Sequence, residues 1–193
     1  RLVTGGMWAV LGSAISRVGF LAASILIARI LGRVSYGEYG MLMATLGMLS
    51  VRGTLGMGMT ATKYVAENWR RNPVLAGEVI GLSTLLSTVT AAAAGLLLVA
   101  LAPFLATHWL AAPHSSTPLR IASVSLALTG LNAAQIGALT GFEEFRAIAR
   151  VNLLGSLLSV PPQILLVLVG GVPGAAWGLL ISQAILCAVT HQA

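Results

Sequence analysis

Two arginines lie in the middle of long apolar stretches, where a charged side chain is rare. Arg17 follows the start of the first stretch by ten or eleven residues, and Arg52 precedes Lys63, where the second stretch ends, by eleven. At a helical rise of about 1.5 Å per residue, both guanidinium groups would be roughly 15 Å deep in an apolar layer. Such an arginine costs at least about 2.5 kcal/mol on insertion scales, and it normally faces a partner or water.

No glutamate lies inside an apolar stretch to neutralise these arginines. We therefore predict that Arg17 and Arg52 bind an anionic ligand, and phosphate fits best because guanidinium binds it in a bidentate manner. Two alternatives stay open. The arginines would instead bond to backbone carbonyls, or the second stretch is shifted and Arg52 lies at the membrane interface.

Uncharged polar side chains form stripes on two later stretches. Asn152 and Gln163 share one helical face with Ser156 and Ser159, because the four are spaced i, i+4, i+7 and i+11. On the preceding stretch, Asn132 and Gln135 lie close to one face. Each stripe predicts either hydrogen bonds between helices or a polar surface for a ligand.

Two adjacent prolines, Pro161 and Pro162, interrupt the fifth stretch. Proline lacks the N–H that an interior helical position uses, and its ring clashes with the preceding turn. We predict that this pair kinks the helix, frees nearby carbonyls and acts as a hinge.

The composition requires a membrane. Of 193 residues, 57% are hydrophobic and only 8% are charged, and the mean hydropathy is +0.92, whereas soluble domains are about 25% charged. One cysteine and no aspartate leave no disulfide framework, no cysteine metal cluster and no aspartate catalytic pair. With no recognisable catalytic motif either, we predict a protein that is not an enzyme and that holds no metal or cofactor.

The apolar stretches are long enough to cross a bilayer, which takes about 20 residues. We predict an all-α integral membrane fold of six transmembrane helices that fills residues 1–193 and leaves no room for a soluble domain. The predicted spans are 6–30, 39–62, 79–101, 119–140, 147–169 and 175–190.

The basic residues are divided unequally between the two sides. One side has six, Arg1, Lys63, Arg70, Arg71, Arg146 and Arg150, and the other has three, Arg29, Arg33 and Arg120. Cytoplasmic loops carry the excess of Lys and Arg, so we place the first side and both ends of the chain in the cytoplasm. The net charge of +6 then reflects topology, and no basic run with aromatics indicates nucleic-acid binding.

Several segments together resemble a known family of membrane proteins. These segments are Ser16-Arg17-Val18-Gly19-Phe20-Leu21, Leu26-Ile27-Ala28-Arg29-Ile30-Leu31-Gly32, Tyr36-Gly37-Glu38-Tyr39-Gly40, Lys63-Tyr64-Val65-Ala66-Glu67, Leu119-Arg120-Ile121-Ala122 and the stretch from Asn132 to Arg146. In this order and spacing they resemble the oligosaccharide flippases, the Wzx-type polysaccharide exporters of the multidrug/oligosaccharidyl-lipid/polysaccharide (MOP) superfamily. Arg33 stands where the family usually has proline.

The resemblance implies one lobe, the amino-terminal one, of a two-lobed transporter like those of the MATE family, with the second lobe absent from this chain. Such proteins move undecaprenyl-diphosphate-linked oligosaccharides, the repeat units of O-antigen, capsule or exopolysaccharide, across the cytoplasmic membrane of bacteria or archaea by alternating access. Arg17 falls on the family's Ser-Arg of the first helix and would hold the diphosphate, with a looser match for Arg52. Asn132, Gln135, Asn152 and Gln163 would bind sugar.

The implied partners are the lipid-linked substrate, membrane lipid, the missing carboxy-terminal lobe and other polysaccharide-assembly proteins. Two other functions stay open. A cation-coupled multidrug antiporter of the same superfamily would want a buried carboxylate, and an integral-membrane glycan polymerase or ligase would want catalytic acids or a large external loop.

Overall fold

The computed structural model describes residues 2–108 and 116–192, with the backbone alone for residues 2–17. All regular structure in these ranges is helical. The elements are α1 (Leu2–Gly53), α2 (Met57–Asn68), α3 (Pro73–His108), α4 (Ser116–Ser123), α5 (Ser125–Gly141) and α6 (Phe145–His191).

Helix α1 folds back on itself at Gly32. The hydroxyl groups of Ser24 and Tyr36 are 3.0 Å apart, although a straight helix would separate residues twelve positions apart by about 18 Å. Gly32 has φ 72° and ψ 179°, a backbone conformation that glycine adopts because it has no Cβ. Helix α1 therefore consists of two antiparallel arms, residues 2–31 and 33–53.

Helix α6 folds back in the same way at Gly171, whose φ is 58° and ψ is −133°. The hydroxyl of Ser159 donates to the carbonyl of Ser182, and the hydroxyl of Ser182 donates to the carbonyl of Ser159, both at 3.3 Å. These residues would be about 35 Å apart along one straight helix. The arms of α6 are residues 145–170 and 172–191, and they meet closely at Gly174, where a side chain would collide with the carbonyl of Leu166.

Four helical stretches are long and apolar enough to cross a membrane. They are Val18–Gly53, Pro73–His108, Ser116–Gly141 and Phe145–His191. Because the first and the last fold back at a glycine, and each arm has at least the roughly 20 residues of one crossing, the chain forms six helical passes. The predicted all-α integral membrane fold is confirmed.

The second pass was predicted as one continuous helix, but in the structure it breaks in the middle. Helix α1 ends at Gly53 and α2 begins at Met57, and between them Leu55 and Gly56 have positive φ angles of 49° and 67°. Glycine is a poor residue for a helix interior, and three glycines lie within residues 53–58. The backbone bonds lost at the break are partly replaced by the hydroxyl of Thr90, which donates to the carbonyl of Gly53.

Small residues allow α3 and α5 to pack backbone against backbone. A side chain at Gly130 would collide with the carbonyl of Ser87. The hydroxyl of Ser87 in turn donates a hydrogen bond of 2.8 Å to the carbonyl of Gly130. Membrane helices associate through such close approaches and interhelical hydrogen bonds, since lipid offers no hydrophobic driving force.

Both fold-back turns lie at the same end of the bundle. One buried cluster contains Tyr39 and Ala175, which lie near the start of the second arms of α1 and α6. A second buried cluster contains Leu42 of α1, Ala106 of α3 and Leu119 of α4. The opposite end brings Trp69 against Phe142, with ring centroids 6.2 Å apart. The exposed basic residues Lys63, Arg70, Arg71, Arg146 and Arg150 lie at this opposite end.

Candidate functional site

A cleft of about 580 Å³ opens between the first arm of α1 and the two arms of α6. Phe20 and Leu21 form its α1 wall, and Leu179 and Leu186 contribute apolar surface from the second arm of α6. Its polar lining consists of six amide or hydroxyl side chains: Asn152, Ser156, Ser159, Gln163, Ser182 and Gln183. The lining contains no charged residue among those that the structure describes.

The first arm of α6 positions four of these six side chains. Asn152, Ser156, Ser159 and Gln163 all line the cleft, as their spacing on one helical face predicts. The other faces of this arm carry exposed apolar side chains, such as Leu157 and Leu165, which are exposed to 70% and 62%. The polar stripe therefore faces the interior of the lobe, where a polar side chain can find a partner.

Hydrogen bonds hold at least four of the six polar side chains in place, and one of these bonds runs from the hydroxyl of Ser156 to the carbonyl of Asn152 at 2.7 Å. Ser159 is joined to Ser182 by the reciprocal pair of bonds described above. Gln163 is only 6% exposed, and its Nε2 donates to the hydroxyl of Tyr39 at 3.2 Å. Gln163 therefore links the cleft to the second arm of α1.

The second arm of α6 supplies two cleft residues that sequence reasoning missed, Ser182 and Gln183. The Oε1 of Gln183 is buried and has no hydrogen-bond partner within the described residues. An unsatisfied buried acceptor costs about 1–3 kcal/mol, which a donor from a ligand or water would recover. The signal was present in the sequence as two adjacent polar residues in an apolar helix, but only the fold-back at Gly171 brings them beside Ser159 and Gln163.

Arg17 is the main residue predicted to bind the anion, and the structure describes its backbone but not its side chain. Its backbone lies in the first arm of α1, about one turn before Phe20 and Leu21 of the cleft wall. The predicted diphosphate role of Arg17 stays a prediction.

Arg52 lies at mid-depth but does not line the cleft. Its neighbour Gly53 packs on Ala91, which lies at the midpoint of the 36-residue helix α3. Arg52 is therefore about halfway between the two ends of the bundle. The side chain of Arg52 is exposed, immediately before the break in the second pass. None of the ion pairs or hydrogen bonds found among the described residues satisfies it.

The amides of α5 lie away from the cleft. Asn132 is 8% exposed, and its Oδ1 accepts a hydrogen bond of 3.1 Å from the hydroxyl of Thr190, which fastens α5 to the end of α6. The Oε1 of Gln135 is buried without a partner in the described part of the chain. The structure thus brings Asn152 and Gln163 together and separates both from Asn132 and Gln135.

Pro161 and Pro162 lie inside a helix that continues through them. The non-helical dihedral angles within α6 are at Gly171, nine residues beyond Pro162. The helix therefore does not break at the prolines, although both lack the N–H that an interior helical position uses. Their role as a hinge stays a prediction.

The lining of the cleft determines what chemistry it can perform. Amides and hydroxyls donate and accept hydrogen bonds without carrying charge, so they suit a ligand rich in hydroxyl groups. No group of three or more His, Cys, Asp or Glu side chains that could hold a metal ion occurs among the described residues. The described lining can therefore bind such a ligand through hydrogen bonds.

Comparisons with known proteins place the chain among membrane proteins of polysaccharide synthesis. A family model described as polysaccharide biosynthesis protein matches residues 2–190. The fold is similar to a solved structure described as the outward-facing conformation of a multidrug resistance MATE family transporter of the MOP superfamily, with a TM-score of 0.74 and 19% sequence identity. That match covers 98% of this chain and 43% of the transporter chain. No curated protein sequence matches this chain.

Proposed function

Because the chain belongs to the polysaccharide biosynthesis protein family, we propose that it forms one lobe of a flippase for lipid-linked oligosaccharides. The substrate would be an oligosaccharide on undecaprenyl diphosphate, moved from the cytoplasmic to the external leaflet. The chain spans 43% of the similar transporter, so the proposal includes a second lobe against which this lobe rocks.

One observation carries this proposal: an uncharged polar cleft in an otherwise apolar lobe. Amide and hydroxyl groups in a cleft can exchange hydrogen bonds with a ligand that is rich in hydroxyl groups. Sugar hydroxyls complement the amides of Asn152, Gln163 and Gln183. The hydroxyl oxygens of Ser159 and Ser182, whose protons go to carbonyls, add acceptors. The lipid tail would stay in the bilayer while the sugars occupy the cleft.

Arginine would hold the charged part of the substrate. We propose that Arg17, on the arm that forms the α1 wall, binds the diphosphate. Arg52, exposed at mid-depth and unpaired among the described residues, would attract the same group from the second pass. Asn132 and Gln135 would contact sugar only in a conformation in which α5 faces the substrate.

The test uses the whole protein in proteoliposomes that contain an oligosaccharide linked to a prenyl diphosphate. An externally added glycosidase reports how much lipid has reached the outer leaflet. We expect Arg17→Ala to abolish flipping and Arg17→Lys to retain part of it, because lysine keeps the charge but not the bidentate geometry. Arg29→Ala is the matched control, since Arg29 is exposed on the same arm near the Gly32 turn.

Two results would contradict different parts of this proposal. If Arg17→Ala flips as well as the wild type, the assignment of the diphosphate to Arg17 is wrong. If the wild-type protein moves no lipid-linked oligosaccharide, the flippase proposal fails.

The fold similarity supports one rival, a cation-coupled drug antiporter. The similar structure is a multidrug resistance MATE transporter, and cation exchange would need a carboxylate in the binding site. The described cleft offers amides and hydroxyls instead. Transport of a cationic dye by the same vesicles, with no movement of the oligosaccharide lipid, would favour the antiporter.

The proposal extends to place and partners. Six passes make this a multi-pass membrane protein, and the flippase function would place it in the cytoplasmic membrane of a bacterium or archaeon. Its partners would be the second lobe, membrane lipid and other polysaccharide-assembly proteins.

A further inference from the structure

Two exposed arginines stand at the beginning of the first arm of α6, at the basic end of the bundle. Arg146 and Arg150 are four residues apart, so they lie on one face of the helix about 6 Å apart. Glu143 and Glu144 are the nearest acids in sequence, but no ion pair joins either arginine to a carboxylate among the described residues. The two guanidinium groups therefore present uncompensated positive charge.

Apolar grooves start at these arginines and run along the helix. A groove of about 440 Å³ is lined by Arg146, Ala149, Arg150 and Leu153. Leu153 also lines the next groove, of about 330 Å³, together with Gly19 and Leu157. The charged end and the apolar groove are thus continuous along one side of the arm.

The second groove continues into the polar cleft. Ser156 and Val160 line both of them. Arg150 precedes Ser156 by six residues and Gln163 by thirteen, which corresponds to about 9 Å and 20 Å along the helix axis. One continuous surface therefore leads from two arginines at the membrane edge, past exposed leucines, to hydroxyls and amides at mid-depth.

We propose that this surface is the entry path for the prenyl diphosphate end of the substrate. Arg146 and Arg150 capture the diphosphate, the prenyl chain lies in the groove at Leu153 and Leu157, and the sugars enter the cleft at Ser156. This inference rests on the proposed flippase function.

Two features select a prenyl diphosphate over an ordinary phospholipid. Two neighbouring guanidinium groups suit two linked phosphates better than a single phosphodiester. The groove also leads into a site for hydroxyl groups, so the captured headgroup belongs to a lipid that carries sugars.

The first experiment measures binding without requiring transport. The probe is farnesyl diphosphate, added to the whole protein in nanodiscs of phosphatidylcholine, which has no net charge. We expect the variant Arg146→Gln/Arg150→Gln to bind the probe at least tenfold more weakly than the wild type. The matched control, Arg70→Gln/Arg71→Gln, removes the same charge from the same end of the bundle and should change the Kd less than twofold, because neither residue lines these grooves.

The second experiment blocks the groove. Leu157→Trp fills it with a larger side chain, and it should lower the initial rate of flipping at least fivefold in proteoliposomes. Leu165→Trp is the control, because Leu165 is similarly exposed on the same arm but lies outside the groove. It should flip at the wild-type rate.

The outcomes separate this inference from the proposed function. If the double arginine variant binds farnesyl diphosphate as the wild type does, the entry site is wrong even where flipping occurs. If phosphatidylglycerol in the nanodiscs displaces the probe as strongly as farnesyl diphosphate itself, the occupant is an ordinary anionic phospholipid, and the inference is overturned. If the probe binds through the two arginines but no flipping is found, the diphosphate site stands and the flippase proposal fails.

Discussion

Single buried amides in this protein fall into two groups according to what they contact. Asn132 and Gln163 each bond to a hydroxyl of a neighbouring helix, Thr190 and Tyr39 respectively. Gln135 and Gln183 each keep a buried oxygen with no partner in the described part of the chain, and of the two Gln183 lines the cleft. The first group stabilises the lobe, whereas in the second group Gln183 is part of the cleft wall.

The first group predicts a loss of stability. Thr190→Val removes the donor to Asn132 while it preserves the shape of the side chain. We expect a loss of about 1 kcal/mol, the order of a hydrogen bond between membrane helices. Thermal unfolding in detergent measures it, with Thr107→Val as the control, because the Thr107 hydroxyl bonds within its own turn of α3 and to His108. Equal stability of the two variants would contradict the role of Asn132.

The second group predicts a change in binding without a loss of stability. Gln183→Leu removes an unsatisfied acceptor from the cleft wall, so its unfolding temperature should equal or exceed that of the wild type. Because Gln183 is proposed to contact sugar, the affinity of the Gln183→Leu variant for the oligosaccharide lipid should be about tenfold lower than that of the wild type, which is 1.4 kcal/mol. Titration of detergent-solubilised protein with the lipid measures this, and an unchanged Kd would remove Gln183 from the site.

Two reversals of the helical chain, within α1 and within α6, each take place at a single glycine. Gly32 and Gly171 adopt backbone angles that other residues avoid, and a Cβ at either position would meet no atom within 4 Å. The preference for glycine therefore comes from the dihedral angles and not from crowding. The turn at Gly171 brings Ser182 to Ser159, so the cleft depends on it.

Substitution at the second turn tests this dependence. Gly171→Ala forces alanine into a region that only glycine populates readily, at a cost of about 1–3 kcal/mol. Gly170→Ala is the matched control, since the neighbouring residue is helical and equally uncrowded. We expect only the Gly171 variant to lower the unfolding temperature in detergent, and similar values for the two would show that the turn tolerates a Cβ.

At the scale of the whole molecule, the two ends of the bundle differ in charge. One end carries Lys63, Arg70, Arg71, Arg146 and Arg150, and the other carries Arg29, Arg33 and Arg120 beside the fold-back turns. The structure settles which residues share an end. The excess of positive charge predicts which end faces the cytoplasm.

Labelling in intact cells tests this orientation. The background is Cys187→Ala, which removes the one cysteine of this chain; any cysteine outside this chain is replaced as well. Single cysteines at Arg33 and Arg120 should react with a maleimide that cannot cross the membrane, and a cysteine at Arg70 should react only after the cells are opened. The reverse pattern would invert the proposed orientation and would place the Arg146 entry site on the external side.

Much of the fold could be predicted from the sequence, because membrane insertion reads local composition. Lipid leaves backbone groups no partner except within a helix, so long apolar stretches such as 79–101 must be helical. The same reasoning predicted the polar face from Asn152 to Gln163, since a helical period decides which residues share a face. The family resemblance, confirmed by the match over residues 2–190, followed from the order of short segments along the chain.

Only the tertiary structure decided which polar faces meet. Asn132 and Asn152 look alike in sequence, yet one closes a contact between α5 and α6 and the other lines the cleft. Ser182 and Gln183 entered the site because the second arm of α6 packs against the first arm at Ser159. The physical reason is that local sequence determines where a helix forms and which face is polar, whereas the neighbour of that face depends on turns and small-residue contacts between distant parts of the chain.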